Sequence, residues 1–131
     1  MSENTSKGRI LVADDDPAIL RLVKAILEKE GFAVTVARDG KEAYKALQES
    51  TGIMAAVFDV VMPHIPGPEL VRYMKTEKRL MNIPVMMMTA EQDPKLSRDS
   101  FAAGAVVFLP KPFTTAQLQT MLRMLVGRAK A

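Results

Sequence analysis

The chain has 131 residues, within the usual single-domain range of about 50 to 250 residues, so one hydrophobic core is the default and a second ordinary domain has no room. Its 48% hydrophobic and 25% charged residues, with a mean hydropathy of +0.04, describe a soluble globular protein and exclude disorder and collagen-like repeats. The net charge of +3 comes from 18 basic residues scattered among 15 acids, thickening only at Arg123, Arg128 and Lys130, which reads as a solvated surface and not as a nucleic-acid footprint.

Zero cysteines remove disulfides and thiolate chemistry and fit a reducing compartment. The longest apolar runs, Ile53 to Phe58 and Ile83 to Met88, fall far short of the roughly 18 to 20 residues a membrane span needs. Residues 1–8 are polar and resemble no secretory signal. They are read as a loose tail ahead of a domain over 9–127, with 128–131 as a second tail. A cytoplasmic location is expected.

In chain order, Arg9 to Ala13 is a short apolar run ending in three aspartates. Then Ile19, Leu20, Val23, Ile26 and Leu27 recur at helical spacing. Asp16 is placed to cap that helix and Pro17 to occupy its first position, with Gly31 ending it. Phe32 to Val36 reads as a second strand, and Asp39 with Glu42 forms a capping box ahead of Ala43, Tyr44 and Leu47. Ile53 to Phe58 is the third strand, followed by a Pro/Gly-rich connection over 63–68 and a helix through Leu70, Val71 and Met74. Ile83 to Met88 is the fourth strand. A helix is expected from about Pro94 to Ala103, a fifth strand from Ala105 to Leu109, and a last helix, capped by Thr114 and Gln117, ending near Val126.

Strict strand–helix alternation implies right-handed crossovers and a parallel sheet covered on both faces, the doubly wound α/β class. In such sheets ligands gather outside the carboxyl ends of the strands. That edge receives Asp14 and Asp15 after the first strand, Asp59 after the third, Thr89 after the fourth and Lys111 after the fifth. Clustered carboxylates need a cation or a lysine to offset their repulsion, and oxygen ligands without His or Cys suit a hard ion such as Mg²⁺ or Mn²⁺, together with phosphoryl oxygens.

Four segments, LVADDD from Leu11 to Asp16, FDVVMP from Phe58 to Pro63, Met88 to Ala90, and FLPKPF from Phe108 to Phe113, resemble the motifs of response-regulator receiver domains and occur in that family's order. The resemblance covers roughly residues 9 to 127 and implies a flavodoxin-like (βα)5 fold with strand order 2-1-3-4-5. It implies that Asp59 is the phosphoacceptor, that Asp14, Asp15 and Asp59 bind Mg²⁺ with the backbone carbonyl of Val61, and that Lys111 and Thr89 meet the phosphoryl oxygens. It also implies a cis Lys111–Pro112 bond and a switch through Thr89 and Phe108 to the face formed by the fourth helix, fifth strand and fifth helix. Phe108 lacks the phenolic hydroxyl common at its position, so any inward state must rest on packing alone. Pro66 replaces the acidic residue usual before Gly67, and Glu91 occupies a position that tunes dephosphorylation in the family.

The expected activity is a stand-alone receiver of two-component signalling. A phosphohistidine donor, either a sensor histidine kinase or a histidine phosphotransfer protein, loads Asp59 and thereby changes binding to a downstream protein. The chain is not expected to be an enzyme beyond self-phosphorylation and autodephosphorylation. A monomer is expected, with phosphorylation-dependent dimerisation open, and no nucleic acid or membrane as partner. Two alternatives stand beside this. One is a receiver-fold adaptor indifferent to phosphorylation. The other is a Mg²⁺-dependent phosphohydrolase with an aspartate nucleophile, suggested by Asp14 and Asp16. Neither a dinucleotide fingerprint nor a Walker A motif is present. His64 reads as an exposed loop residue and not a phosphohistidine, and Met86, Met87 and Met88 as filler of a strand buried on both faces.

Overall fold

The computed structural model describes residues 6–89, 104 and 107–130. The helix expected over 94–103, Glu91, and most of the first tail lie outside these residues. Within them run strands β1 (Arg9–Ala13), β2 (Ala33–Ala37), β3 (Ile53–Asp59), β4 (Val85–Thr89) and β5 (Val107–Pro110). The helices are α1 (Pro17–Lys29), α2 (Gly40–Glu49), α3 (Gly67–Thr76) and α4 (Thr115–Lys130). All strand pairs are parallel, in the order β2-β1-β3-β4-β5, as expected.

Alternate strand residues feed two cores. Ile10, Val12, Val57, Met86, Met88 and Leu109 pack with α1 and α4. Leu11, Phe58, Val85 and Met87 pack with α2 and α3. Because side chains alternate with period two, a strand covered on both faces is apolar at successive positions, which is why Val85, Met86, Met87 and Met88 of β4 have no exposure. Among the described residues the alternation breaks between β1 and β3. The β1–β3 register steps from Arg9↔Ile53 to Ile10↔Ala55, so Met54 is an extra residue accommodated as a bulge.

Element ends follow hydrogen-bond demand. Asp16 caps α1 by accepting from the Ala18 amide at 2.9 Å, and Gly31, at φ +102, lies just past its end. The strand after it starts at Ala33 and not Phe32, because the Phe32 amide is spent on the Leu27 carbonyl at 3.1 Å. β4 starts at Val85 and not Ile83, since Pro84 has no N–H for the ladder and the Ile83 amide closes a turn onto Leu80 at 3.1 Å. α3 begins inside the stretch read as connection. Residues 7 and 8 are tied down by Lys7 donating to Gly31 at 2.8 Å and Ala33 donating to Gly8 at 2.9 Å. The last helix, expected to end near Val126, continues to Lys130: a lone Gly127 costs helix stability but stops nothing without a breaker after it. Its capping box is reciprocal, with Gln117 N donating to Thr114 Oγ1 at 3.1 Å and Thr114 N to Gln117 Oε1 at 2.9 Å. No helix among the described residues is long and apolar enough to cross a membrane.

Candidate functional site

Parallel pairing of β1 with β3 sets two aspartates side by side. Asp14 and Asp59 lie one step beyond the Ala13↔Phe58 register pair. Asp14 is completely buried and Asp59 is 7% exposed, while Asp15 faces solvent. The Oδ1 of Asp14 accepts the Asp16 amide at 2.9 Å. One carboxylate oxygen from each of Asp14, Asp15 and Asp59 falls within 4.8 Å of the others, an oxygen-only donor set of the kind hard divalent cations select. Asp16 stays outside as a helix cap.

Lys111 enters from the end of β5. Its amide donates to the Thr89 carbonyl at 2.7 Å, tying it to the end of β4. Its ammonium donates to Asp14 Oδ2 at 2.6 Å and lies 3.4 Å from Asp59 Oδ2. The Lys111–Pro112 bond is cis. Burial, reinforced by the charge of Asp14, pushes the Asp59 carboxyl up to about 6, against the opposing pull of Lys111 and of the Val61 backbone amide. For Lys111, burial pulls downward but is outweighed by the hydrogen bond to Asp14 and the charge of Asp59, so its pKa ends above the usual lysine value. One ammonium among three carboxylates leaves the cluster short of positive charge, and a divalent ion fits that deficit.

The loop after Asp59 is folded back on itself. Val60 and Met62 are buried whereas Val61 is 66% exposed, so the segment is pinned on either side of the residue expected to offer its carbonyl. Gly67 N donates to Val60 O at 3.0 Å and closes the loop. A side chain at Gly67 would collide with the Asp59 carbonyl oxygen and approach Met87 Cε to 2.6 Å. At the loop's far end His64 adopts φ 73 while Ile65 N donates to Pro63 O at 2.9 Å, a γ-turn. The His64 ring is exposed, 3.9 Å from Asp39 Oδ2, at the start of α2 and apart from the acidic cluster.

Asp14, Asp15, Asp59 and Lys111 are thus brought together, and Val61 follows two residues after Asp59 in the loop. Thr89 ends β4, half-buried, beside Pro110 in register. Phe108 is partly buried against the core under α2 and α3. The reading of the sequence gave no role to Gly67. The signal for it was there in Pro66-Gly67-Pro68: a glycine between two prolines a few residues past a buried acid marks a close backbone approach.

Structural comparison finds the same architecture in a CheY-like response regulator receiver domain protein from Methanospirillum hungatei, with TM-score 0.87 and 29% identity, covering 95% of this chain and 98% of that one. The receiver domain of the sensor histidine kinase PA1611 from Pseudomonas aeruginosa, which has a magnesium ion coordinated in its active site cleft, matches with TM-score 0.83 and 26% identity over 92% of this chain and 98% of that one. Among curated relatives, the transcriptional regulatory protein FixJ of Bradyrhizobium diazoefficiens is 34% identical over 126 residues, which are 96% of this chain and 60% of FixJ. The chain spans 52% of the CpxR homolog of Haemophilus influenzae, also at 34% identity, so it matches only part of such regulators' length. Residues 10–123 match the response regulator receiver domain family, and it is to this family that the chain belongs.

Proposed function

We propose that Asp59 accepts a phosphoryl group from a phosphohistidine donor and that the resulting acyl phosphate switches the binding of a protein partner. Phosphorylation-based switching is general to receiver domains, which are phosphoacceptor signalling modules that interact with histidine kinases or phosphotransfer proteins. The observation that carries the assignment to Asp59 is the Lys111 ammonium lodged between Asp14 and Asp59, at 2.6 and 3.4 Å, at the mouth of a carboxylate cluster.

Asp14 and Asp15 hold the divalent ion in this reading, with the Val61 carbonyl as a third protein ligand. When bound, the ion offsets the charge of the carboxylates and of the phosphoryl oxygens. An Asp59 carboxylate oxygen attacks phosphorus, the P–N bond breaks, and its electron pair leaves with the imidazole, which takes up a proton. Lys111, held protonated by Asp14 and Asp59, turns an N–H toward the phosphoryl oxygens where charge spreads. The Thr89 hydroxyl hydrogen-bonds to one of those oxygens once they arrive. Phe108, with no hydroxyl of its own, follows Thr89 through packing, so the switch is a shift between two packed populations biased by the phosphoryl group.

Incubation with Mg²⁺ and acetyl phosphate tests the reading: the intact protein gains about 80 Da, localised to Asp59, and Asp59→Asn gains nothing. An adduct that persists in Asp59→Asn, or none at saturating Mg²⁺, sinks it.

A further inference from the structure

We infer that Gly40, the first residue of α2, is a positioning residue that latches the metal-facing loop into place. The inference rests on the reading of Asp59 as a Mg²⁺-dependent phosphoacceptor. Gly40 is not itself a member of the acidic cluster. Its amide instead donates to the Pro63 carbonyl at 3.2 Å, two residues beyond Val61. No left-handed φ demands glycine here, and alanine is the better helix former. Space explains it. A Cβ at this position would collide with the Ile65 carbonyl oxygen and come within 2.7 Å of Ile65 Cβ, so the α2 backbone lies directly against the loop backbone.

The neighbouring residue works in the same direction. Asp39 caps α2 through Oδ1, which accepts the Glu42 amide at 2.8 Å, and its Oδ2 faces His64 at 3.9 Å. The start of α2 therefore grips Pro63, His64 and Ile65 together, while burial of Val60 and Met62 grips the near side. Between these two holds lies Val61, whose backbone amide favours the ionised Asp59 carboxylate. A side chain forced in at residue 40 must push the 63–65 segment outward, since backbone cannot yield as the tip of a flexible side chain does. The displacement reaches Val61, and metal affinity depends on ligand placement.

The test titrates Mg²⁺ alone into the full chain and follows backbone amide shifts in Gly40→Ala and in Gly127→Ala, where an added Cβ meets open space. Gly40→Ala weakens Mg²⁺ binding by about fivefold or more while melting cooperatively, and Gly127→Ala stays within about twofold of the wild type. Linkage supplies a second measurement without any substitution. If metal binding requires the latched loop, saturating Mg²⁺ slows hydrogen exchange of the wild-type Gly40 amide by about fivefold or more. Unchanged Mg²⁺ affinity in folded Gly40→Ala overturns the latch. Should that variant not fold, Gly40 exchange indifferent to Mg²⁺ overturns it equally. A wild-type chain that neither binds Mg²⁺ nor takes up phosphoryl overturns the assignment of Asp59 itself.

Discussion

The ammonium of Lys111 donates to the fully buried Asp14 at 2.6 Å, joining two residues that stand 97 positions apart in the chain. This contact closes the carboxyl edge of the sheet, because Lys111 is also fastened through its amide to Thr89 at the end of β4. Its removal leaves a buried carboxylate without its cation, the costly half of breaking an ion pair.

Lys111→Met is therefore expected to lose on the order of 2 kcal/mol of stability in urea unfolding at pH 8 with metal chelated. The loss shrinks when saturating Mg²⁺ is added, because the ion offsets the same carboxylates. A lysine whose folded pKa is raised contributes stability that is fully present below its ordinary value and is lost as pH rises through the folded one, so the difference between wild type and variant must narrow at strongly alkaline pH. Equal stability of the two proteins at pH 8 contradicts this account.

Asp59 carries the opposite sign. Its pKa is raised from 3.8 to about 6, so the folded chain holds a proton there that the unfolded chain has released. Stability falls as pH climbs between those values and remains lowered above them. In metal-free buffer, Asp59→Asn is expected to be more stable than wild type above pH 6 by about 1 to 2 kcal/mol, after discounting the shift for solvent reaching the cleft. The advantage vanishes below about pH 4. Thermal melts across that range, with and without chelator, check it, and a variant less stable at pH 7 in chelator refutes it.

Mg²⁺ at about ten times its dissociation constant is expected to raise the wild-type melting temperature by about 5 °C, by mass action on the folded state. Asp14→Asn, which keeps an acceptor for the Asp16 amide but loses the charge, abolishes the rise. Asp16→Asn, a change at the helix cap, keeps it. Differential scanning calorimetry distinguishes the two.

Arg79 offers a structural counterpart remote from the site. Its guanidinium donates to Ser50 O at 2.9 Å and Leu47 O at 2.6 Å, satisfying carbonyls that the end of α2 leaves without helical partners. Arg79→Ala is expected to cost about 1 to 2 kcal/mol in urea, with acetyl-phosphate labelling of the folded variant unchanged. A drop in labelling without a drop in stability would show that the end of α2 matters to the site directly.

Much of this was legible in the sequence because it is written locally. Asp16, Asp39, Thr114 and Gln117 announce helix starts within four residues, and β4 announces its double burial by the unbroken apolar run from Val85 to Met88. Asp14, Asp15, Asp59 and Lys111 were legible as a group because strand–helix alternation sends every strand end to one edge. What stayed hidden depends on partners distant in sequence. Phe32 looks like a strand residue until its amide is seen bonded to Leu27, and Gly40 looks like an ordinary helix start until Ile65 is placed against it. Arg79 gave no sign at all, since its acceptors are carbonyls that every residue possesses.

The bulge at Met54 has a consequence for how the molecule tolerates change. It lies at the leading end of β3, five positions before Asp59, so the slip in phase is absorbed before the strand reaches its working end. From Ile10↔Ala55 onward β1 and β3 march in step, and the two aspartates arrive as neighbours on one face of the sheet. Gain or loss of a residue near position 54 is thereby insulated from the acidic edge, whereas the same edit between residues 55 and 59 swings Asp59 to the far face and dismantles the cluster.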